Sequence, residues 1–208
     1  MADKQIKTGR VRRYDQDPLP GFAHPELAAK AAWLRELAER VYDQIEDLPP
    51  EALDFSPGTT LLSIGRLVTH LAWAESSWVS KLTRENPPAE LQKELDRGKL
   101  EDFDQPPAPA GTAGGLIAFC RRVQESFTAP ALSRVTDLDS SFEAGGRTVN
   151  VRGVLTQLEW HWAYHSGQIG LLRLMWGSDY RWTNEAIVGL RPTWKPPQAC
   201  GPRASPRG

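Results

Sequence analysis

Residues 150–177 read NVRGVLTQLEWHWAYHSGQIGLLRLMWG and carry the longest helical pattern in the chain. Asn150 is a favourable N-terminal cap, and Gly177 is a favourable residue for ending a helix. The pattern therefore predicts one helix of about 26 residues, which spans about 39 Å at roughly 1.5 Å per residue. The apolar residues predicted on its inward face are Val154, Leu158, Leu172, Met175 and Trp176.

Three further segments have apolar residues at three- and four-residue steps, which is typical of amphipathic helices. They cover about 25–48, 60–82 and 112–128. The outer face of the first segment is predicted to be solvated, because it carries charged residues such as Glu36 and Arg40. Four amphipathic helices, with a long crossover at 85–112 between the second and the third, predict an all-α four-helix bundle.

The remaining segments are shorter or lack periodicity. Residues 140–151, SSFEAGGRTVNV, predict a small β-hairpin before the fourth helix, because a Gly-Gly turn separates two short alternating runs. Residues 1–22 are interpreted as an N-terminal tail or strap, and residues 23–180 as the bundle. Residues 181–208 form a Pro-rich C-terminal tail that cannot bury enough apolar surface to fold alone.

Composition excludes several classes of function. The 208 residues include 25 basic and 26 acidic side chains, so the net charge of -1 recruits neither nucleic acid nor anionic lipid. Cys120 and Cys200 form neither a disulfide framework nor a zinc ribbon, and no signal peptide or membrane span is apparent. We therefore expect a cytoplasmic protein with neither nucleic acid nor a membrane as a partner. A homodimer and a small-molecule substrate are further expectations, which composition alone does not establish.

Three of the four histidines fall on inward helical faces. His161 and His165 lie about 40 degrees apart on one face of the fourth helix, and His70 lies at the edge of the apolar stripe of the second. A histidine pair four residues apart and a third histidine from a facing helix can form a three-nitrogen cap with an open position, as in catalytic metal sites. Neutral imidazole suits zinc, nickel, copper and ferrous iron, so these residues do not select the metal. Simple packing of the histidines is the alternative.

Six other side chains are candidates for orienting a ligand or contacting a substrate: Gln168, Gln157, Trp73, Tyr164, Arg66 and Ser77. Gln168 is the stronger of the two glutamines, since it follows His165 by three residues on the inner face. On a helical wheel Glu159 points away from His161, so we expect Glu159 to be a solvated surface charge and not a general base. For the aromatic residues the alternative is ordinary core packing, and for Arg66 and Ser77 it is surface hydrogen bonding.

The segments THLAWAE around His70 and HWAYHSGQIG from His161 to Gly170 together resemble the DinB/YfiT-like metalloenzyme superfamily over residues 23–180. The resemblance implies a four-helix bundle in which His70, His161 and His165 bind zinc, nickel or iron. Characterised members of that superfamily are often thiol-dependent, and they include bacillithiol and mycothiol S-transferases. A low-molecular-weight thiol is therefore implied as a co-substrate.

Three functional hypotheses remain open. In the first, a divalent metal ionises a thiol or water, which then attacks a small electrophile, as in a transferase or a hydrolase. In the second, the bundle binds a metal or another ligand without catalysis. In the third, the protein is a purely structural dimeric bundle. A ferritin-like di-iron site is excluded, because the inward Glu and Glu-x-x-His ligands are missing.

Overall fold

The computed structural model describes residues 5–12, 16–58, 62–99 and 111–184. The helices are α1 (Pro25–Ile45), α2 (Pro50–Leu53), α3 (Ile64–Thr83), α4 (Ala89–Leu95), α5 (Ala113–Val123), α6 (Ala129–Ser133) and α7 (Val151–Trp176). A 3-10 turn, Asp96–Gly98, follows α4, and a π-helical segment, Gln124–Thr128, joins α5 to α6. The strands are β1 (Gln5–Arg12), β2 (Ser141–Ala144), β3 (Arg147–Asn150) and β4 (Ser178–Asn184).

The predicted four-helix bundle is confirmed. Helices α1, α3 and α7 and the run from α5 to α6 pack around one apolar core, to which Val41, Leu71, Val123 and Leu158 each contribute a fully buried side chain. The predicted hairpin is also present, with β2 and β3 antiparallel and Phe142 opposite Val149. Asn150 caps α7 by accepting a hydrogen bond from Gly153 N at 2.7 Å. Gly177 ends that helix in a left-handed conformation (φ 105°).

The long helices run in two parallel pairs. Lys30 contacts Glu159 near the start of α1 and α7, and Asp47 contacts Arg173 near their ends, so these helices run in the same direction. The equivalent contacts between α3 and the run from α5 to α6 are Val68 with Cys120 and Glu85 with Arg134. Two adjacent parallel helices need a long connection, which explains the crossover between α3 and α5.

Strands β1 and β4 form a parallel two-stranded sheet, which we call the strap, on the outer face of α1. Gln5 pairs with Ser178 and Lys7 with Tyr180. Strand β1 was not predicted, because its partner lies more than 160 residues away in the sequence. The strap also corrects the expectation that the outer face of α1 is solvated. Glu36 and Arg40 are only 5% and 9% exposed, because Glu36 accepts hydrogen bonds from both Arg10 of the strap and Arg40.

The end of α7 departs from its predicted inward face. Val154, Leu158 and Leu172 are buried, but Met175 and Trp176 are 52% and 40% exposed. The wheel gives the direction of a side chain, but it does not show which neighbour covers the last turn. In the part of the chain that the structure describes, no helix is both long and apolar enough to cross a membrane.

Arg173 joins three elements at the end of the bundle. Its guanidinium is fully buried and donates two hydrogen bonds of 2.6 Å to the carboxylate of Asp47 beyond α1. It also donates to the Ser178 hydroxyl at the start of β4, at 2.8 Å, and to the carbonyl of Gln44 in α1. Bidentate arginine–carboxylate pairs of this kind fix both distance and orientation. Arg173 therefore holds α7, α1 and the strap in one arrangement.

We expect Arg173→Ala to lower the free energy of unfolding by about 2–3 kcal/mol, since removing one partner of a buried ion pair strands the other. Asp47 is 28% exposed, so the loss should fall short of that for a fully buried pair. Urea unfolding measures the change. The matched control is Arg134→Ala, which breaks an exposed pair with Glu85 and should cost under about 1 kcal/mol. Equal losses in the two variants would contradict the role assigned to Arg173.

Candidate metal centre

The structure brings His70 from α3 together with His161 and His165 from α7. The Nε2 atom of His161 lies 3.2 Å from His70 Nε2 and 2.9 Å from His165 Nε2. The three ligand atoms all lie within 4.8 Å of one another. Residues four apart on a helix face the same way, and α3 supplies the third ring from across the bundle. The geometry is that of a single cluster, and the role of these histidines as metal ligands stays a prediction.

Two of the rings are held through their outer nitrogens. His70 Nδ1 lies 3.3 Å from the carbonyl oxygen of Gly98, and His165 Nδ1 lies 2.6 Å from the side-chain oxygen of Gln168. Both neighbours are acceptors, so Nδ1 carries the hydrogen in each ring and Nε2 presents its lone pair to the cluster. This is how metal-binding histidines are commonly oriented in proteins.

The donor set fits a divalent cation. His161 Nε2 faces the lone pairs of both His70 and His165, but a neutral imidazole nitrogen carries at most one hydrogen to donate. A cation between the three nitrogens would satisfy all three lone pairs at once. Ligand nitrogens roughly 2.1 Å from a tetrahedral ion lie about 3.4 Å apart, which is close to the two distances from His161 Nε2, 3.2 and 2.9 Å. The cluster is therefore compatible with a divalent metal such as zinc, nickel or iron.

All three rings are neutral near pH 7. Burial lowers the pKa of His70 to about 4. Burial, together with the neighbouring His165 and His70, lowers the pKa of His161 to about 3. The pKa of His165 is also lowered by burial, although its hydrogen bond to Gln168 opposes the shift. Because metals bind the neutral ring, the site is in its binding form without losing a proton.

Gly98 is a site residue that the sequence did not reveal. A Cβ atom at this position would lie 2.4 Å from the Thr69 carbonyl oxygen and 2.8 Å from the Cβ of Trp73. The crossover can therefore bring a carbonyl to His70 only if this residue has no side chain. The only sequence signal was a glycine at the end of a charged helical segment. Such a glycine indicates a turn, but it does not indicate that the turn contacts His70.

Glu75 was missed as well. It is 4% exposed and accepts hydrogen bonds from Trp162 Nε1 at 2.8 Å and from the Thr128 hydroxyl at 2.7 Å. Burial raises the pKa of this carboxyl. Trp162 follows His161 directly, so Glu75 helps to set the position of α7 beside α3. The signal was an acidic residue within the apolar stripe of the second helix.

Trp73, Tyr164 and Gln168 lie next to the cluster. The Trp73 ring stacks on His70, with centroids 5.8 Å apart, and the Tyr164 ring lies 5.2 Å from that of His165. Gln168 Nε2 donates to the Tyr164 hydroxyl at 3.3 Å, while its oxygen binds His165. Trp73 is half-buried and Tyr164 is 48% exposed, so the two rings differ in their access to solvent.

The other predicted residues lie elsewhere. Gln157, predicted as a candidate for orienting a ligand, is exposed in a surface depression beside Trp160 and so does not lie on the inner face of α7. Within the described chain, neither Arg66 nor Ser77 forms a hydrogen bond or ring contact with the cluster. Glu159 pairs with Lys30 of α1 at 3.0 Å, which corrects the expectation that it is a solvated charge.

We expect the wild-type protein to retain about one zinc, nickel or iron(II) ion per chain after loading and gel filtration. The His161→Ala/His165→Ala double variant should retain only a trace, because two of three donors are gone. Mass spectrometry of the digested protein measures the metal. His24→Ala is the control, since His24 caps α1 through its Nδ1 and lies outside the cluster. The same metal content in all three proteins would refute the site.

The metal-free protein should lose stability as the pH falls from about 6.5 towards 4. The pKa of His70 in the folded protein, about 4, and that of His161, about 3, lie below the ordinary value of 6.5. Between the folded and the ordinary pKa values, the unfolded chain binds more protons than the folded protein does. The free energy of unfolding is therefore highest above pH 6.5 and decreases as the pH falls towards the pKa values of the folded protein. Urea unfolding across this range measures it. The double histidine variant should show a weaker pH dependence, and an unchanged one would contradict the assignment.

Comparison with known proteins places the chain in a family. No curated protein matches the sequence significantly. Among solved structures the chain is similar to YfiT from Bacillus subtilis, described as a probable metal-dependent hydrolase with an unusual four-helix bundle topology. The TM-score is 0.54 at 18% identity, over 79% of this chain and 95% of YfiT, so the likeness shows the fold alone. The sequence profile of mycothiol S-transferase matches residues 30–176, a span that contains the whole histidine cluster. The resemblance read from the sequence is thus confirmed, and the chain belongs to the mycothiol S-transferase family of DinB-like four-helix bundles.

Proposed function

We propose that the protein is a metal-dependent S-transferase that joins a low-molecular-weight thiol to a small electrophile. The observation that carries the proposal is the convergence of three neutral imidazole nitrogens, two of which present lone pairs by virtue of their outer hydrogen bonds. The mycothiol S-transferase family supports a thiol as the nucleophile. His70, His161 and His165 would hold the metal.

The cluster leaves room for a further ligand. In the described part of the chain, no carboxylate or thiol joins the three histidines, so a divalent ion would keep an open position. A cation bound there would stabilise the anionic form of a thiol or water and so lower its pKa towards neutrality. Gln168 and Gly98 hold the rings, and Trp73 and Tyr164 flank the place where a small molecule would lie.

With an activated aryl chloride as the electrophile, the thiol loses its proton to solvent and its sulfur attacks the carbon that bears chlorine. A carbon–sulfur bond forms, the carbon–chlorine bond breaks, and chloride leaves with the bonding electrons. No oxidant or reductant is required. The chain contributes by holding its three imidazoles neutral and in fixed orientations. The metal can therefore bind without displacing a proton and without a ring having to turn.

Hydrolysis is the second candidate, because the same open position would accept water in place of a thiol. YfiT, which shares the fold, is described as a probable metal-dependent hydrolase. A non-catalytic metal-binding bundle is the third. The homodimer and the cytoplasmic location expected from the sequence stay predictions.

We expect the zinc-, nickel- or iron(II)-loaded protein to accelerate thioether formation between an activated aryl chloride and at least one thiol from a panel of mycothiol, bacillithiol, glutathione and cysteine. The gain over metal-free protein should be at least about 100-fold, because ionising the nucleophile is the main contribution of the metal. Mass spectrometry of the conjugate and release of chloride are the two measurements.

The matched variants separate the hypotheses. The His161→Ala/His165→Ala protein should lose the activity, and His24→Ala should keep it. A metal-dependent release of nitrophenol from an activated ester, without any thiol conjugate, would favour the hydrolase. If metal binds but neither reaction depends on it, the protein is a non-catalytic metal-binding bundle and the enzyme proposal fails.

A further inference from the structure

A cavity of about 230 Å³ opens between α1 and the run from α5 to α6. No residue of the histidine cluster lines it. Its apolar walls are Leu19, Ala31, Leu34, Ala129 and Leu132. The buried end of the cavity, its floor, is polar and consists of Glu75, Gln124 and Thr128. The more exposed residues at its mouth are Arg35, Glu39, Arg121 and Glu125. A partly open apolar cleft with a few polar groups at its buried end is a common form of small-molecule site.

The floor holds a carboxyl group whose described partners are all neutral. Glu75 Oε2 accepts from Trp162 Nε1 at 2.8 Å and from Gln124 Nε2 at 3.3 Å, while Oε1 accepts only from the Thr128 hydroxyl, at 2.7 Å. A carboxylate offers about four acceptor sites, so one remains on Oε1. Within the described chain, no lysine, arginine or histidine forms an ion pair with Glu75. The group is buried without a counter-charge, which is costly for an anion.

The charges around the cavity favour a positively charged guest. Three carboxyl groups line it against two guanidinium groups, and the two cations lie at the mouth. Arg121 is already engaged there by Glu39 through hydrogen bonds of 3.0 Å. At the floor of the cavity, the Glu75 carboxylate would repel an anion, whereas it would accept a hydrogen bond from a cation. The arrangement therefore discriminates by the sign of charge.

We propose that this cavity is a second ligand site, which binds a small organic ammonium ion with its charged head on Glu75 and its hydrocarbon part against Leu34 and Leu132. The ammonium group supplies the missing donor and counter-charge together, which a neutral alcohol does not. A volume of about 230 Å³ lies below the roughly 300–1,000 Å³ of pockets for drug-sized ligands, so the guest is a fragment-sized amine. The site shares no lining residue with the histidine cluster and does not rest on the proposed thiol chemistry.

Isothermal titration calorimetry at neutral pH with n-butylamine and benzylamine tests the proposal, and n-butanol and benzyl alcohol serve as neutral counterparts. Wild-type protein should bind an amine saturably and at least about tenfold more tightly than the matching alcohol, because only the amine forms a charge-assisted hydrogen bond. Glu75→Gln should abolish that preference while keeping an oxygen for Trp162. Ala31→Leu should weaken both amine and alcohol, since it fills the cavity without touching the carboxyl.

Amines also bind metals, so the His161→Ala/His165→Ala variant is titrated alongside and should bind the amine as wild type does. Loss of binding in that variant would assign the amine to the histidine cluster and overturn the proposal. So would the absence of saturable binding to wild type, or binding that persists unchanged in Ala31→Leu. If Glu75→Gln does not fold, the comparison of amine with alcohol and the Ala31→Leu variant decide the question.

Discussion

Two imidazole lone pairs directed at a third ring nitrogen, at 2.9 and 3.2 Å, require a proton or a cation to stand between them. One neutral His161 ring can satisfy only one of these contacts. The outer hydrogen bonds from His70 to Gly98 and from His165 to Gln168 stop both rings from rotating their lone pairs away. The chain thus holds an arrangement that is costly by itself and favourable around a positive ion. The rest of the bundle has to hold α3 and α7 close enough to maintain it.

The buried Glu75 provides much of that restraint. Its carboxyl accepts from Trp162 of α7 and from both ends of the π-helical segment, Gln124 and Thr128. The Tyr42 hydroxyl of α1 in turn donates to Gln124 at 3.2 Å, so one chain of hydrogen bonds touches all four long helices. Buried networks of this kind tolerate few alternative packings, because each shift leaves a polar group unpaired. A bundle held only by apolar contacts would allow more relative sliding of α3 and α7.

Much of the fold was predictable from local sequence. Periodic apolar residues, the Asn150 cap and the Gly177 stop fix the helices, and the spacing of His161 and His165 places both on one face. The features that were missed depend on partners far away in the chain. The acceptor for His70 is a backbone carbonyl at Gly98, which has no side-chain signature, and the burial of Glu36 and Arg40 follows from a strand that pairs across the whole domain. A helical wheel likewise could not show that Gln157 is uncovered.

The strap has a consequence for the order in which the molecule assembles. Gln5 pairs with Ser178, so this sheet is made of contacts between residues near opposite ends of the domain. Contacts of such high sequence separation form late, because their loop-closure entropy is repaid only once the intervening chain is already compact. Strands β1 and β4 can meet only after α1 and α7 have docked side by side in parallel. We expect the strap to form after the bundle during folding and to open first during unfolding, so that Glu36 and Arg40 become accessible before the histidine cluster is lost.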